Sequence, residues 1–145
     1  MFAVRLLAAL LGFILLSTSV KAACTVTSET LAFGTIDAST DNRNKARLTV
    51  TCDGPAATII GISPGGQESG GLRHMVGPGG ATLAYQIYRD ETRTLVWGDS
   101  PTNGALALTV STGLPVSVDF FGEIPAQPGV TPGTYSDSLV VTLTF

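Results

Sequence analysis

From residue 23 onward, apolar and polar side chains alternate in short runs, and no stretch shows a helical period. Leu48, Val50 and Cys52 alternate with Thr49 and Thr51, and Leu83, Tyr85 and Ile87 with Ala84, Gln86 and Tyr88. Val116, Val118 and Phe120 repeat the pattern after Pro115. Over Tyr135 to Phe145, Leu139, Val141, Leu143 and Phe145 fall on one face and Ser138, Val140, Thr142 and Thr144 on the other. A period of two is that of a half-buried β-strand. Further strands are predicted at Thr58 to Ile62, Leu72 to Val76 (a short edge strand), Leu95 to Trp97 and from Leu106. Cys24 to Val26 and Leu31 to Phe33 read as one broken first strand ending at Gly34.

Breakers separate these runs: Asp53-Gly54-Pro55, Gly77-Pro78-Gly79-Gly80, Asp99 to Gly104, and Pro125 to Gly133. Ser63 to Gly71 is predicted to be a loop, since five of its nine residues are glycine or proline. Arg89 to Arg93 reads as a charged hairpin turn into Leu95. Seven or eight short strands at this spacing predict an all-β, immunoglobulin-like Greek-key sandwich. The sequence ends inside its clearest strand, with nothing after it to cover the edge. An unpaired edge invites a strand from another chain, so completion by a partner is expected.

The first 22 residues read as a signal peptide: Arg5, an apolar run from Leu6 to Leu16, then a small, polar segment ending in Ala22. The apolar run is too short to span a bilayer, so no membrane insertion is expected after cleavage. Cleavage is predicted before Ala23, leaving 123 residues (145 less 22), one domain. Lipidation of Cys24 competes with this, but Lys21 stands where an aliphatic residue is needed. Loss of Arg5 and Lys21 leaves 6 basic against 11 acidic side chains, a net charge of about −5. That balance argues against a nucleic-acid partner, which wants a basic stripe. Cys24 and Cys52 are the only cysteines, and in an exported chain they are expected to form a disulfide. Closing such a loop stabilises by about 3.5 kcal/mol in the chain-entropy treatment.

Catalytic chemistry is sparse. His74 is the only histidine and reads as a solvated residue after a glycine-rich loop. No metal site and no cofactor are expected. Gly61-Ile62-Ser63-Pro64-Gly65 matches the G-x-S-x-G nucleophile elbow. However, Pro64 has no N–H to build an oxyanion hole, and the glycines after it cannot sustain the helix that the elbow needs. Asp90, Glu91, Asp99, Asp119, Glu123 and Asp137 are scattered, mostly at expected turns, without the D-x-D-x-D-G run of a calcium loop. Trp97 with Tyr85 or Tyr88 would make the best sugar platform, although a single tryptophan more often packs a sandwich core. No enzyme is expected.

Five landmarks together resemble the spore coat protein U domain family, the subunit type of archaic chaperone–usher pili. They are Cys24, Phe33-Gly34, Val50-Thr51-Cys52-Asp53-Gly54, the run Leu83 to Asp90, and Pro132 to Asp137 leading into Thr142 to Phe145. The resemblance covers essentially residues 23–145. It implies an incomplete sandwich lacking its final strand, with a periplasmic chaperone lending a strand. A neighbouring pilin subunit replaces that strand at the outer-membrane usher, a case of strand addition. On this resemblance the acceptor groove is expected between Leu31 and Phe33 on one side and Leu139, Val141, Leu143 and Phe145 on the other. A polymerising subunit of this kind carries a donor segment before its first cysteine; with cleavage before Ala23, only Ala23 precedes Cys24. One residue spans about 3.3 Å and cannot cross a groove, so a terminal or tip-type subunit is expected, in surface attachment or biofilm formation. The alternatives are a self-complete secreted binding module, for carbohydrate, and a coat or matrix protein.

Overall fold

The computed structural model describes residues 21–145; the signal-peptide reading falls on 1–22 and so lies almost wholly outside the described residues. Among the described residues nine strands form two antiparallel sheets. The larger has β1 (Cys24–Ser28), β2 (Asn42–Cys52), β8 (Val116–Ile124), β6 (Thr82–Tyr88), β5 (Leu72–Val76) and β4 (Glu68–Ser69), side by side in that order. The smaller has β7 (Leu106–Val110), β3 (Ala56–Ile62) and β9 (Val141–Thr144). Neighbours that are not consecutive in sequence, such as β2 beside β8, require long connections over the ends of the sheets.

The alternation seen in the sequence sets the two faces. On β2, Ala46, Leu48, Val50 and Cys52 point inward and are buried, while Arg43, Lys45 and Arg47 point out. They meet Leu83, Tyr85 and Ile87 of β6, Phe120 and Ile124 of β8, and Ile60 and Ile62 of β3 in one core. Outward residues pair across the β2–β8 ladder: Arg43 reaches Glu123 at 2.6 Å, and Arg47 and Lys45 share Asp119 at 2.9 and 3.2 Å. Asp119 and Glu123, expected at turns, thus lie on a strand. These pairs are exposed and contribute little individually. Cys24 and Cys52 stand directly opposite in the β1–β2 register and are joined as a disulfide.

Several segments differ from expectation. Leu31 to Phe33 forms no strand: after β1 the chain leaves the sheet edge and lies across the inner face of β8. Gly122 makes the crossing possible, because a Cβ there would stand 2.5 Å from Leu31 Cδ2 and 2.6 Å from Phe33 Cζ. Asn44, opposite Gly122 in the ladder, donates its side-chain amide to the Ala32 carbonyl. Leu95 to Trp97 contributes only a bridge between Tyr88 and Val96, although the hairpin geometry holds, with the Trp97 N–H on Ile87 O at 2.9 Å. Asp90 organises that turn by accepting from the N–H groups of Thr94 and Leu95. The predicted loop 63–71 contains β4, and His74 sits within β5 opposite Ala84, not in a loop.

The terminal strand is far shorter than its pattern. Only Val141–Thr144 is ladder, paired with β3. Upstream, Ser136 instead bridges Val76 of β5, exchanging hydrogen bonds of 2.9 and 3.1 Å. The segment therefore passes from one sheet to the other, and Asp137 marks the switch. Its carboxylate accepts from its neighbour's N–H (Ser138, 2.8 Å) and from that of Gly66 (3.0 Å). Such local side-chain bonds compete with a regular ladder.

Candidate functional site

Half-burial is the clearest property of the last segment. Tyr135, Asp137, Leu139, Val141 and Leu143 are partly covered, and the residues between them are exposed. One face is turned inward, yet nothing fully covers it. The space it borders is a cavity of about 1030 Å3 that opens between the sheets. Leu31, Phe33 and Ile36 line one wall, and Val130, Tyr135, Leu139 and Val141 line the other. Its floor is the core itself: Leu48, Ile62, Leu83, Ile87 and Phe120.

Of the residues expected to form a groove, Leu31, Phe33, Leu139 and Val141 stand around this cavity. Leu143 packs against the core beyond it, and Phe145 is 46% exposed at the end of the same face. The floor residues were legible as strand cores but carried no sign of facing open space. Val130 lies next to Gly129 and two residues before Pro132, where alternation gives no guide.

β9 borders the cavity and, among the described residues, pairs with β3 alone, so there it is an edge. The register shows which backbone groups are free. Ser63 N–H donates to Val140 O at 2.9 Å, and the Val140 N–H returns to Ser63 Oγ at 2.9 Å. Thr142 lies opposite Gly61, and Thr144 opposite Ile59, in the same phase. Alternation in an antiparallel pair therefore aims the N–H and C=O of Val141 and Leu143 away from β3. An apolar trough next to a row of unpaired backbone groups is the chemistry of strand addition: ladder bonds on one side, alternate side chains in the trough.

Polar residues line the cavity as well, among them Glu29, Thr35, Ser136 and Asp137. The Tyr85 hydroxyl donates to Asp137 Oδ2 at 2.6 Å, and burial, with the carboxylate beside it, pushes its pKa far above the usual phenol range. Tyr85 therefore remains a donor at any physiological pH. Gly65, at φ 88°, brings its loop against the carboxylate; a Cβ there would fall 2.1 Å from Asp137 Oδ2. Arg73 lies nearby, 4% exposed, with its guanidinium held by the carbonyls of Ser63, Ile62 and Trp97 and by Gln86 Oε1. Desolvation pulls its pKa down.

Other sequence candidates resolve differently. Trp97 and Tyr85 are 0% and 2% exposed, so neither offers a ring face to a sugar. Trp97 packs edge-on against Phe120, with centroids 6.4 Å apart, and its indole N–H donates to Ile60 O at 2.8 Å. Ser63 of the G-x-S-x-G match uses its hydroxyl as an acceptor for Val140, and no helix follows it. Among the described residues no three His, Cys, Asp or Glu side chains cluster as a metal site.

The solved structures that this chain resembles share the fold at low identity. A chain of the CsuC–CsuE chaperone–tip adhesion subunit pre-assembly complex, from the archaic chaperone–usher Csu pili of Acinetobacter baumannii, superposes with a TM-score of 0.64 at 18% identity. The match covers 87% of this chain and 40% of that one, so this chain spans less than half of its length. The P pilus rod subunit PapA matches with a TM-score of 0.61 at 16% identity, over 83% of this chain and 97% of PapA. In sequence, Protein U of Myxococcus xanthus is 32% identical over 145 residues, covering 88% of this chain and 80% of Protein U. The Spore Coat Protein U domain family model matches residues 11–142. With that match over most of its length, the chain belongs to the Spore Coat Protein U domain family.

Proposed function

We propose that this protein is an exported structural subunit of a chaperone–usher pilus, and that its open groove accepts a β-strand from another chain. The observation that carries this is the apolar trough of about 1030 Å3 beside the unpaired edge of β9. Leu31, Phe33, Leu139 and Val141 form its walls, with Leu143 and Phe145 extending the same face. A periplasmic chaperone supplies the strand first, and a neighbouring pilin replaces it at the outer-membrane usher. The likeness to a chain of a chaperone–tip subunit complex supports this order. Residues 1–22 act as the signal peptide and 23–145 as the pilin domain. Among the described residues no helix is long and apolar enough to cross a membrane. The role is structural, in surface attachment or biofilm formation, and not enzymatic.

Position in the fibre follows from the mature N-terminus. A cut before Ala23 gives an acceptor without a donor segment, hence a terminal or tip-type subunit. The test of the whole reading is periplasmic expression of the full chain, alone and with a candidate chaperone. Aggregation alone and recovery as a one-to-one complex with the chaperone is the expected result. A soluble monomer with a sharp thermal transition and no partner would overturn it.

A further inference from the structure

Of the inward residues Asp137, Leu139, Val141 and Leu143 of the last segment, Asp137 alone is polar, and that constrains what fills the groove beside it. Along the last segment Asp137, Leu139, Val141 and Leu143 occupy successive inward positions, since every second residue is half-buried. Asp137, Leu139 and Val141 line the cavity. A strand laid along β9 places its inward side chains abreast of Val141 and Leu143, within about 4.5–5.5 Å in directly opposed pairs, and its continuation past Leu139 reaches Asp137. Abreast of Val141 and Leu139 it meets hydrocarbon. Abreast of Asp137 it meets a carboxylate.

That carboxylate already accepts from Tyr85 Oη, Gly66 N–H and Ser138 N–H. Two of these bonds go to Oδ1 and one to Oδ2, so three of the roughly four acceptor sites of a carboxylate are used and one remains for water or an incoming donor. An apolar side chain seated over it would strip water from a charge and return nothing. A donor replaces the lost water with a charge-assisted hydrogen bond. Resting on the strand-acceptor reading above, we infer that the strand filling this groove carries a hydrogen-bond donor (Ser, Thr, Asn or Lys) abreast of Asp137. That position lies four residues from the apolar side chain abreast of Val141, in the direction from Val141 toward Asp137. Asp137 thus sets the register of the incoming strand, because a slip by two residues would place an apolar group on the carboxylate.

Two synthetic twelve-residue peptides test this, both with the same alternating Val/Thr pattern and differing only at that position, Ser in one and Leu in the other. Affinity is read by competition, as each peptide displaces the chaperone from its one-to-one complex with the full chain. The Ser peptide is expected to bind about tenfold more tightly, the difference an unsatisfied buried acceptor makes. In Asp137→Asn, with the charge removed, the preference should shrink to about twofold. If the Leu peptide binds as tightly as the Ser peptide to the unaltered protein, the register role of Asp137 is wrong while the groove still accepts strands. If neither peptide binds, the strand-acceptor reading itself fails. The comparison in the unaltered protein decides the matter even where Asp137→Asn does not fold.

Discussion

Arg73→Met is expected to lower stability by about 3 kcal/mol in urea unfolding of the peptide-complemented protein. The methionine fills much of the volume but has no donor. The guanidinium now ties three carbonyls from two segments: the adjacent Ser63 and Ile62, each at 3.0 Å, and Trp97 at 2.7 Å. Gln86 accepts from it as well, and in turn holds Gly71 O at 2.9 Å. These residues span β3, β6 and the hairpin after it, so one side chain links both sheets. Removing it leaves several buried acceptors unpaired, each costing about 1–3 kcal/mol. Relief of burying a charge offsets part of that loss. Arg73→Lys should fall between, since one ammonium cannot reach all these acceptors at once. A loss below about 1 kcal/mol for Arg73→Met would mean that water takes over the carbonyls and the network is not structural.

Trp97→Ala is expected to cost about 3–5 kcal/mol, the range for truncating a large buried aromatic ring. Trp97 is fully buried between Ile60 and Phe120, so its truncation leaves a cavity in the core. Trp97→Phe separates packing from polarity. It keeps an aromatic ring against Phe120 but frees the Ile60 carbonyl, for an expected loss of about 1–2 kcal/mol. Thermal melts of both variants check this. Equal losses would assign the whole effect to the indole N–H.

The sequence speaks clearly where alternation coincides with a ladder. Leu48, Val50 and Cys52, or Leu83, Tyr85 and Ile87, announce strands whose inner faces are buried as expected. Alternation reports faces and not partners, however. Tyr135 to Thr144 does alternate in burial, yet more than half of it is no ladder, because Ser136 joins β5 and Asp137 bonds its own neighbour. Leu31 and Phe33 alternate as a strand would, but they are held by a glycine in a strand ninety residues away. Arg73 gave no sign of burial, since a basic residue in an edge-like run normally points to solvent. The groove was legible in outline through Leu139 and Val141. Its floor was not, because a strand residue facing a cavity and one facing a packed sheet have the same pattern.

Backbone amide exchange at β9 tests strand addition most directly. Val141 and Leu143 point their N–H groups away from β3, whereas Thr142 and Thr144 are in phase with the β3 ladder. When a chaperone or peptide strand fills the groove, exchange at Val141 and Leu143 is expected to slow by about tenfold or more, with Thr142 and Thr144 changing far less. A complex that forms while Val141 and Leu143 exchange as before would show that the partner binds elsewhere, and would contradict the account.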